Sequence, residues 1–220
     1  MSRHLHHAIA SVAFRRYSLR LDQINHNAAL SHWLRGHEMP TFATRRDLHS
    51  YVNELLGGPV DYLEFGVYQG ESIKMWTELN RHDTSRFIGF DSFEGLPEAW
   101  GRSMRVGDFD VHGEVPHIND PRLSFVAGWF NDTLVPFLTT FEPRSPLVVH
   151  NDSDLYSSTL YLLTKLDPIL VKGSVLIFDE FYSSLHEFRA FQDYISAYRR
   201  QLHPIGRVRD VHGRVAFVFS

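Results

Sequence analysis

Hydrophobic and polar positions change rhythm once along the chain, near residue 58. Before that point apolar residues recur at helical spacing: Leu5, Ile9 and Val12, then Leu48, Val52, Leu55 and Leu56, closing on Gly57-Gly58-Pro59, a helix stop and chain turn. After it, short and nearly unbroken apolar runs alternate with amphipathic stretches. Val60 to Phe65, Arg86 to Phe90, Leu123 to Ala127, Leu147 to His150 and Ser174 to Phe178 predict five buried strands. Glu71 to Leu79, Thr133 to Thr140 and Ser158 to Leu166 predict the helices between them, and Leu185, Phe188, Phe191, Ile195 and Tyr198 mark one face of a longer helix after the fifth strand. Gly206 to Val211, a His212-Gly213 turn and Val215 to Phe219 then alternate as an antiparallel hairpin does. The expected fold is therefore α/β, with a doubly wound, mostly parallel sheet over residues 59–220 and a helical extension over residues 1–58 that serves as a lid or dimer contact. Leu96 to Arg122 interrupts the rhythm with six Gly and Pro residues among charged ones. A loop of that length in a compact domain is expected to be functional, beside the carboxyl ends of the strands where such sheets bind ligands.

Composition narrows the chemistry. The absence of Cys excludes disulfide frameworks, Cys-ligated zinc, iron–sulfur clusters and thiol nucleophiles, so any metal site is built from Asp, Glu and His. It also suits a reducing compartment, and a cytoplasmic location is expected. With 22 Lys and Arg against 26 Asp and Glu, the formal charge of −4 argues against nucleic acid as a partner. No apolar run reaches the roughly 18 residues that would span a bilayer. The stretch Ala8 to Phe14 lies between histidines and Arg15-Arg16, lacks a small-residue cleavage site, and reads as a helix. His4, His6 and His7 read as a solvated terminus.

Three constellations carry chemistry. The first, Asp61 to Ser72, is a strand running into a glycine turn that opens a helix. Gly66 would bend the turn, Gly70 would let backbone approach a ligand, and the free N–H groups of the helix start favour a carboxylate or other anion. The G-x-x-x-G spacing departs from the dinucleotide fingerprint and argues against NAD. Glu64 suits a cationic group such as the ammonium of an amino acid. The competing reading of the two glycines is plain turn chemistry. The second constellation is Phe87 to Pro97, where Asp91 ends a strand about twenty residues past Gly70, the interval at which a carboxylate accepts ribose hydroxyls. Its alternative is a helix N-cap. The third joins His150-Asn-Asp152-Ser-Asp154 with Phe178-Asp179-Glu180, two sets of acids at the ends of neighbouring strands. Asp152, Asp179 and Glu180 packed together repel one another unless a pKa rises or a hard divalent ion sits among them. Asp154 is placed to face a substrate hydroxyl, and caps or solvated loops are the alternative.

These motifs, LEFGVYQGESIKMW, GFDSFEGLPEAW, GWFNDTL, HNDSDLYSSTLYLL and GSVLIFDEF, together resemble the macrocin O-methyltransferase family over roughly Thr44 to Phe191. The resemblance implies a seven-stranded sheet of the class I methyltransferase type and metal-assisted transfer of a methyl group from S-adenosylmethionine to a hydroxyl, often on a sugar of a natural product. It implies that Glu64, Gly66, Gly70 and Ser72 hold the methionine part of that cofactor, Asp91 its ribose, and Ser92, Phe93, Gly128 and Trp129 surround its adenine, with Tyr68 and Asp152 also binding the cofactor. It places the metal, Mg²⁺ or another divalent cation, on Asp152, Asp179 and Glu180, with Glu180 standing where an Asp is more usual. Asp154 falls on the family's general base, with His150 the alternative. The expected partners are a small-molecule or glycan acceptor and a second copy of the chain. A phenolic, catechol or amine acceptor, and a cofactor-binding partner protein without catalysis, are the competing readings.

Overall fold

The computed structural model describes residues 2–101 and 104–220, with side chains described from Tyr17 onward. The chain divides into two compact units, Met1–Glu38 and Met39–Ser220. The first holds one helix, α1 (Ser2–Gly36), which runs through the Ala8 to Phe14 stretch. The side chains of His4, His6 and His7 lie outside the described residues. Near the end of α1, Trp33 stacks on His37 at 4.3 Å.

The second unit is built on one sheet. Its parallel strands β2 (Asp61–Phe65), β3 (Arg86–Asp91), β4 (Leu123–Ala127), β5 (Leu147–Asn151) and β6 (Val175–Phe178) fall where the apolar runs place them. β7 (Leu202–Val208) and β8 (Val215–Phe219) form the antiparallel hairpin. One count is corrected: the sheet has eight strands, not seven, because β1 (Thr41–Phe42) pairs in parallel with the end of β7. Two residues are too few to leave a period in the sequence. The order is β1-β7-β8-β6-β5-β2-β3-β4. β7 also starts earlier and ends sooner than its alternation suggests, since Pro204 masks the start and the Asp210 carboxylate, accepting from the N–H groups of His212 and Gly213, claims the turn.

The helices α3 (Glu71–Leu79), α4 (Phe130–Leu138), α5 (Tyr156–Leu166) and α6 (Glu187–Tyr198) connect the strands. The helix α2 (Arg45–Leu56) belongs with the sheet, so the compact division falls before it and not at Gly57-Gly58-Pro59. Thr44 and Asp47 close a reciprocal capping box at its start, and Gly57 ends it in the left-handed region at φ 63°. Its Leu48 and Val52 are fully buried among Val60, Tyr62, Ile73 and Trp76. Sheet register then levels the strand ends that matter: Glu64 pairs with His150, Phe65 with Asn151, and Asn151 with Phe178. Everything directly after those residues emerges along one edge of the sheet.

Candidate functional site

At that edge the chain leaves β2 through Gly66, whose φ is 91°. A Cβ there would lie 1.9 Å from the backbone oxygen of Asp152. The turn is held between its neighbours, with Gly66 N–H donating to Phe90 O at 3.0 Å and Asp152 N–H to Phe65 O at 2.9 Å. The glycine turn and the acid-bearing loop after β5 are thus in backbone contact. Gly70, at φ 79°, starts α3 without any side-chain cap, and a Cβ on it would meet Ile118 at 3.0 Å and Pro116 at 3.1 Å. The first-turn N–H groups of α3 therefore stay available, with the long loop close against them.

Asp91 caps no helix. Its Oδ2 accepts from the N–H groups of Val67 at 2.7 Å and Tyr68 at 2.8 Å, and its Oδ1 from Phe93 N–H at 2.8 Å. Those bonds hold Tyr68 and Phe93 in left-handed backbone, at φ 51° and 58°. Tyr68 is partly exposed and packs edge-on against Phe109, whereas the Phe93 ring is buried against Phe125. Ser92 Oγ accepts from Glu94 N–H. Gly128, at φ 132°, donates to Asp91 O, and half-buried Trp129 leads into α4. A charged acceptor adds about 1.5–3 kcal/mol per hydrogen bond. Asp91→Ala is therefore expected to speed amide exchange at Val67 and Tyr68 roughly tenfold or more, measured by hydrogen exchange, and unchanged protection would show that the turn holds itself.

Glu64 is fully buried and faces the protein. Ser72 Oγ donates to its Oε1 at 2.8 Å, and Tyr62 O–H to its Oε2 at 2.5 Å. His150 lies beside them, Nδ1 2.8 Å from Tyr62 Oη and 3.2 Å from Glu64 Oε2, with Nε2 3.4 Å from Asp179 Oδ1. Burial would lower its pKa, but the carboxylates of Asp179 and Glu64 outweigh burial and hold it up at about 9. His150 thus lies buried between two carboxylates. Beneath it, buried His49 is pushed well down by its burial and by His150, and accepts from Trp76 Nε1–H at 2.7 Å.

The acids come together in two layers. Asp179 is nearly buried, and Arg214 forks it, donating from Nε to Oδ1 at 2.7 Å and from Nη2 to Oδ2 at 2.8 Å. Burial opposes its charge, yet His150 and Arg214 hold its carboxyl well below the usual range. In front of it, Asp152, Asp154 and Glu180 each place a carboxylate oxygen within 4.8 Å of the other two. Burial and the charges of Asp179 and Glu180 push Asp152 well up. Burial, with Asp179 and Asp91, pushes Asp154 up to about 7, and burial, with Asp179 and Asp154, pushes Glu180 up to about 9. Glu180 keeps one oxygen 2.8 Å from His212 Nδ1, while its Oε2 is buried with no hydrogen-bond partner among the described residues. Three acids that resist ionising together, one with an orphaned oxygen, suit a hard divalent cation. Asp154 stands in left-handed backbone, at φ 61°.

Several site residues escape sequence reasoning. Arg214, Tyr62 and His49 act through side-chain contacts across distant segments. Glu187, buried at the start of α6, accepts from Asn151 Nδ2 at 2.7 Å and from Glu180 N–H at 2.9 Å, fixing the loops behind the acids. Arg45 left a signal: it opens α2, where the helix dipole disfavours a cation, so its guanidinium has a reason to be there. It reaches Asp179 Oδ1 at 3.5 Å and Asp152 Oδ2 at 3.9 Å.

The long loop covers this edge and is ordered by its own backbone. Glu94 bridges Asp110, Leu96 N–H donates to Asp108 O, and Gly107 N–H to Leu96 O. Glu98 accepts from Ser157 Oγ at the start of α5, and Trp100 stands edge-on to His186 before α6.

The family described as macrocin O-methyltransferase (TylF) matches residues 29–213. The 8-demethyl-8-(2,3-dimethoxy-alpha-L-rhamnosyl)-tetracenomycin-C 4'-O-methyltransferase of Streptomyces olivaceus is 33% identical over 162 residues, 60% of this chain and 59% of that protein. Demethyldecarbamoylnovobiocin O-methyltransferase of Streptomyces niveus is 29% identical over 171 residues, 66% of this chain and 62% of that one. The chain thus spans about three fifths of the length of these curated relatives, 59% and 62%. Among solved structures, calicheamicin methyltransferase CalS11 superposes with a TM-score of 0.62 at 23% identity, over 79% of this chain and 76% of that one, a likeness of fold.

Proposed function

The chain belongs to the macrocin O-methyltransferase family, and from that premise we propose that it transfers the methyl group of S-adenosylmethionine to a hydroxyl of a sugar or glycosylated secondary metabolite. The observation that carries the reading is the backbone contact between Gly66 and Asp152, which sets the glycine turn directly against the acid cluster. A donor on the turn and an acceptor at the acids would then meet across that contact. When bound, S-adenosylmethionine supplies an electrophilic methyl group, and a divalent cation such as Mg²⁺ lowers the pKa of an acceptor hydroxyl.

The chain's own residues do the rest. The free N–H groups opening α3 suit the methionine carboxylate, and Tyr68, Trp129, Gly128 and Ser92 line the way to the nucleoside. Asp91 acts on the ribose side both through its remaining acceptor capacity and by fixing the turn. Glu64 and Ser72 serve from below, holding β2 and α3 in register. Asp152 and Glu180 would hold the cation, while Asp179, with both oxygens on Arg214, contributes negative charge from behind. Asp154 takes the acceptor proton; His150 is buried, paired on both sides, and unable to reach an acceptor. The loop from Leu96 to Arg122 excludes water from the edge it covers.

Tyr17, Leu21 and Ile24 of α1 lie at least half exposed at helical spacing, which supports a second copy of the chain as partner. A chain without Cys, and with no helix among the described residues long and apolar enough to cross a membrane, suits action in the cytoplasm. Calorimetry of the full chain with S-adenosylhomocysteine, and labelled methyl transfer to rhamnosyl acceptors with and without a chelator, test the reading. Saturable binding and chelator-sensitive transfer are expected. No cofactor binding would overturn it, and chelator-resistant transfer would remove the cation from the reading while leaving the hydroxyl acceptor.

A further inference from the structure

We infer that Arg45 is a resident counter-ion of the acid cluster, which an incoming divalent cation displaces toward Glu71. The inference rests on the cation reading of Asp152 and Glu180 given above. Four other arginines in buried or half-buried surroundings grip their partners firmly, whereas exposed Arg46 and Arg189 stand 3.5 Å and 3.9 Å from theirs. Arg86 on Asp61, Arg122 on Asp120, Arg200 on Asp167 and Arg214 on Asp179 each make two bonds of 3.0 Å or less to one carboxylate. Arg45 grips nothing in that way. Its guanidinium stands 3.5 Å from Asp179, 3.9 Å from Asp152 and 3.9 Å from Glu71, on the loops after β6 and β5 and at the start of α3.

Its position also costs free energy. Arg45 is the first residue of α2, and a cation there opposes the helix dipole. What offsets that cost is the negative field of the acids, which no other side chain neutralises at Asp152 among the described ion pairs. A divalent ion meets the same field with twice the charge and at bonding distance, so both cations cannot occupy it at once. The way out is prepared. Glu71, first residue of α3, is 83% exposed on its side chain and already lies on the far side of the guanidinium. A short swing of Arg45 exchanges Asp179 and Asp152 for Glu71, leaving Arg214 and His150 against Asp179.

Mn²⁺ titration of the full chain, following the free ion by electron paramagnetic resonance, tests this. Arg45→Gln is expected to bind Mn²⁺ roughly tenfold tighter than wild type, because one unit charge a few ångströms away is removed. Arg46→Gln, which removes the same charge one residue along, is expected to stay within about twofold. Glu71→Gln is expected to weaken binding about threefold in the wild-type background and to change nothing in Arg45→Gln, since its effect runs through Arg45. Equal affinity in wild type and Arg45→Gln, equal tightening by Arg46→Gln, or a Glu71→Gln effect that survives in Arg45→Gln each overturns the displacement while leaving the cation reading intact. Binding in Arg45→Gln alone supports it in its strongest form. Absence of binding in every variant overturns the cation reading and this inference together.

Discussion

Gly66→Ala is expected to cost the fold about 4 kcal/mol and to abolish cofactor binding, the size of effect reserved for a backbone clash at a strained position. The new Cβ would sit 1.9 Å from Asp152 O, a backbone atom that cannot step aside without breaking the Asp152 N–H bond to Phe65 O. The φ of 91° adds strain of its own. For a chain of this length that loss lowers the melting midpoint by roughly 8–16 °C. Gly101, at φ 64° with nothing within 4 Å of its Cβ, is the matched control and should lose only the conformational part, about 1 kcal/mol. Thermal unfolding of the two variants side by side is the measurement. Equal midpoints would mean that the loop after β5 moves freely away from the turn, and the contiguity of donor and acid sites would go with it.

The second large effect sits behind the acids. Arg214→Met leaves Asp179, 2% exposed, without the fork that holds both of its oxygens. Removing one partner of a buried pair typically costs about 3–5 kcal/mol, since the remaining charge cannot regain water. Urea unfolding at neutral pH should show that deficit as a shifted midpoint with an unchanged slope. A loss below about 1 kcal/mol would mean that Arg45 or water reaches Asp179 and takes over. Double replacement, Asp179→Leu with Arg214→Met, should recover part of the stability, because the apolar pair removes the unpaired charge while costing buried His150 one of its two carboxylates.

How far the sequence reaches differs between fold and site. Strands β2, β3, β5 and β6 were legible because each is buried on both faces and so reads as a nearly unbroken apolar run, and β4, half-exposed at the border of the sheet, was legible from its apolar residues alone. The helix α3 was legible to the residue, Glu71 to Leu79, since Gly70 and Asn80 bracket a clean amphipathic period. The place of α2 was not legible, because Gly57-Gly58-Pro59 punctuates a helix end and a domain end in the same way. At the site, residue types and spacing located the acids at two strand ends, but not which oxygens remain open. That depends on Arg214 and Arg45, which reach the acids from segments far away in sequence, and no local pattern records such a meeting. Asp91 shows the same limit: its interval from Gly70 marked it for a ribose, while its three bonds to backbone N–H groups follow from the turn geometry alone.

The smallest strand carries a consequence of a different kind. A sheet with an open border offers its unpaired N–H and C=O groups to any passing strand, the first step toward aggregates. Here the border beyond β7 is closed by two residues, Thr41 and Phe42, bonded opposite Arg207 and Val208. Upstream on β7, Pro204 has no N–H to offer and the ladder is irregular between Pro204 and Gly206. An incoming chain finds at that border only a two-residue template, so β1 guards the outer side of β7 against edge-to-edge pairing where it lies.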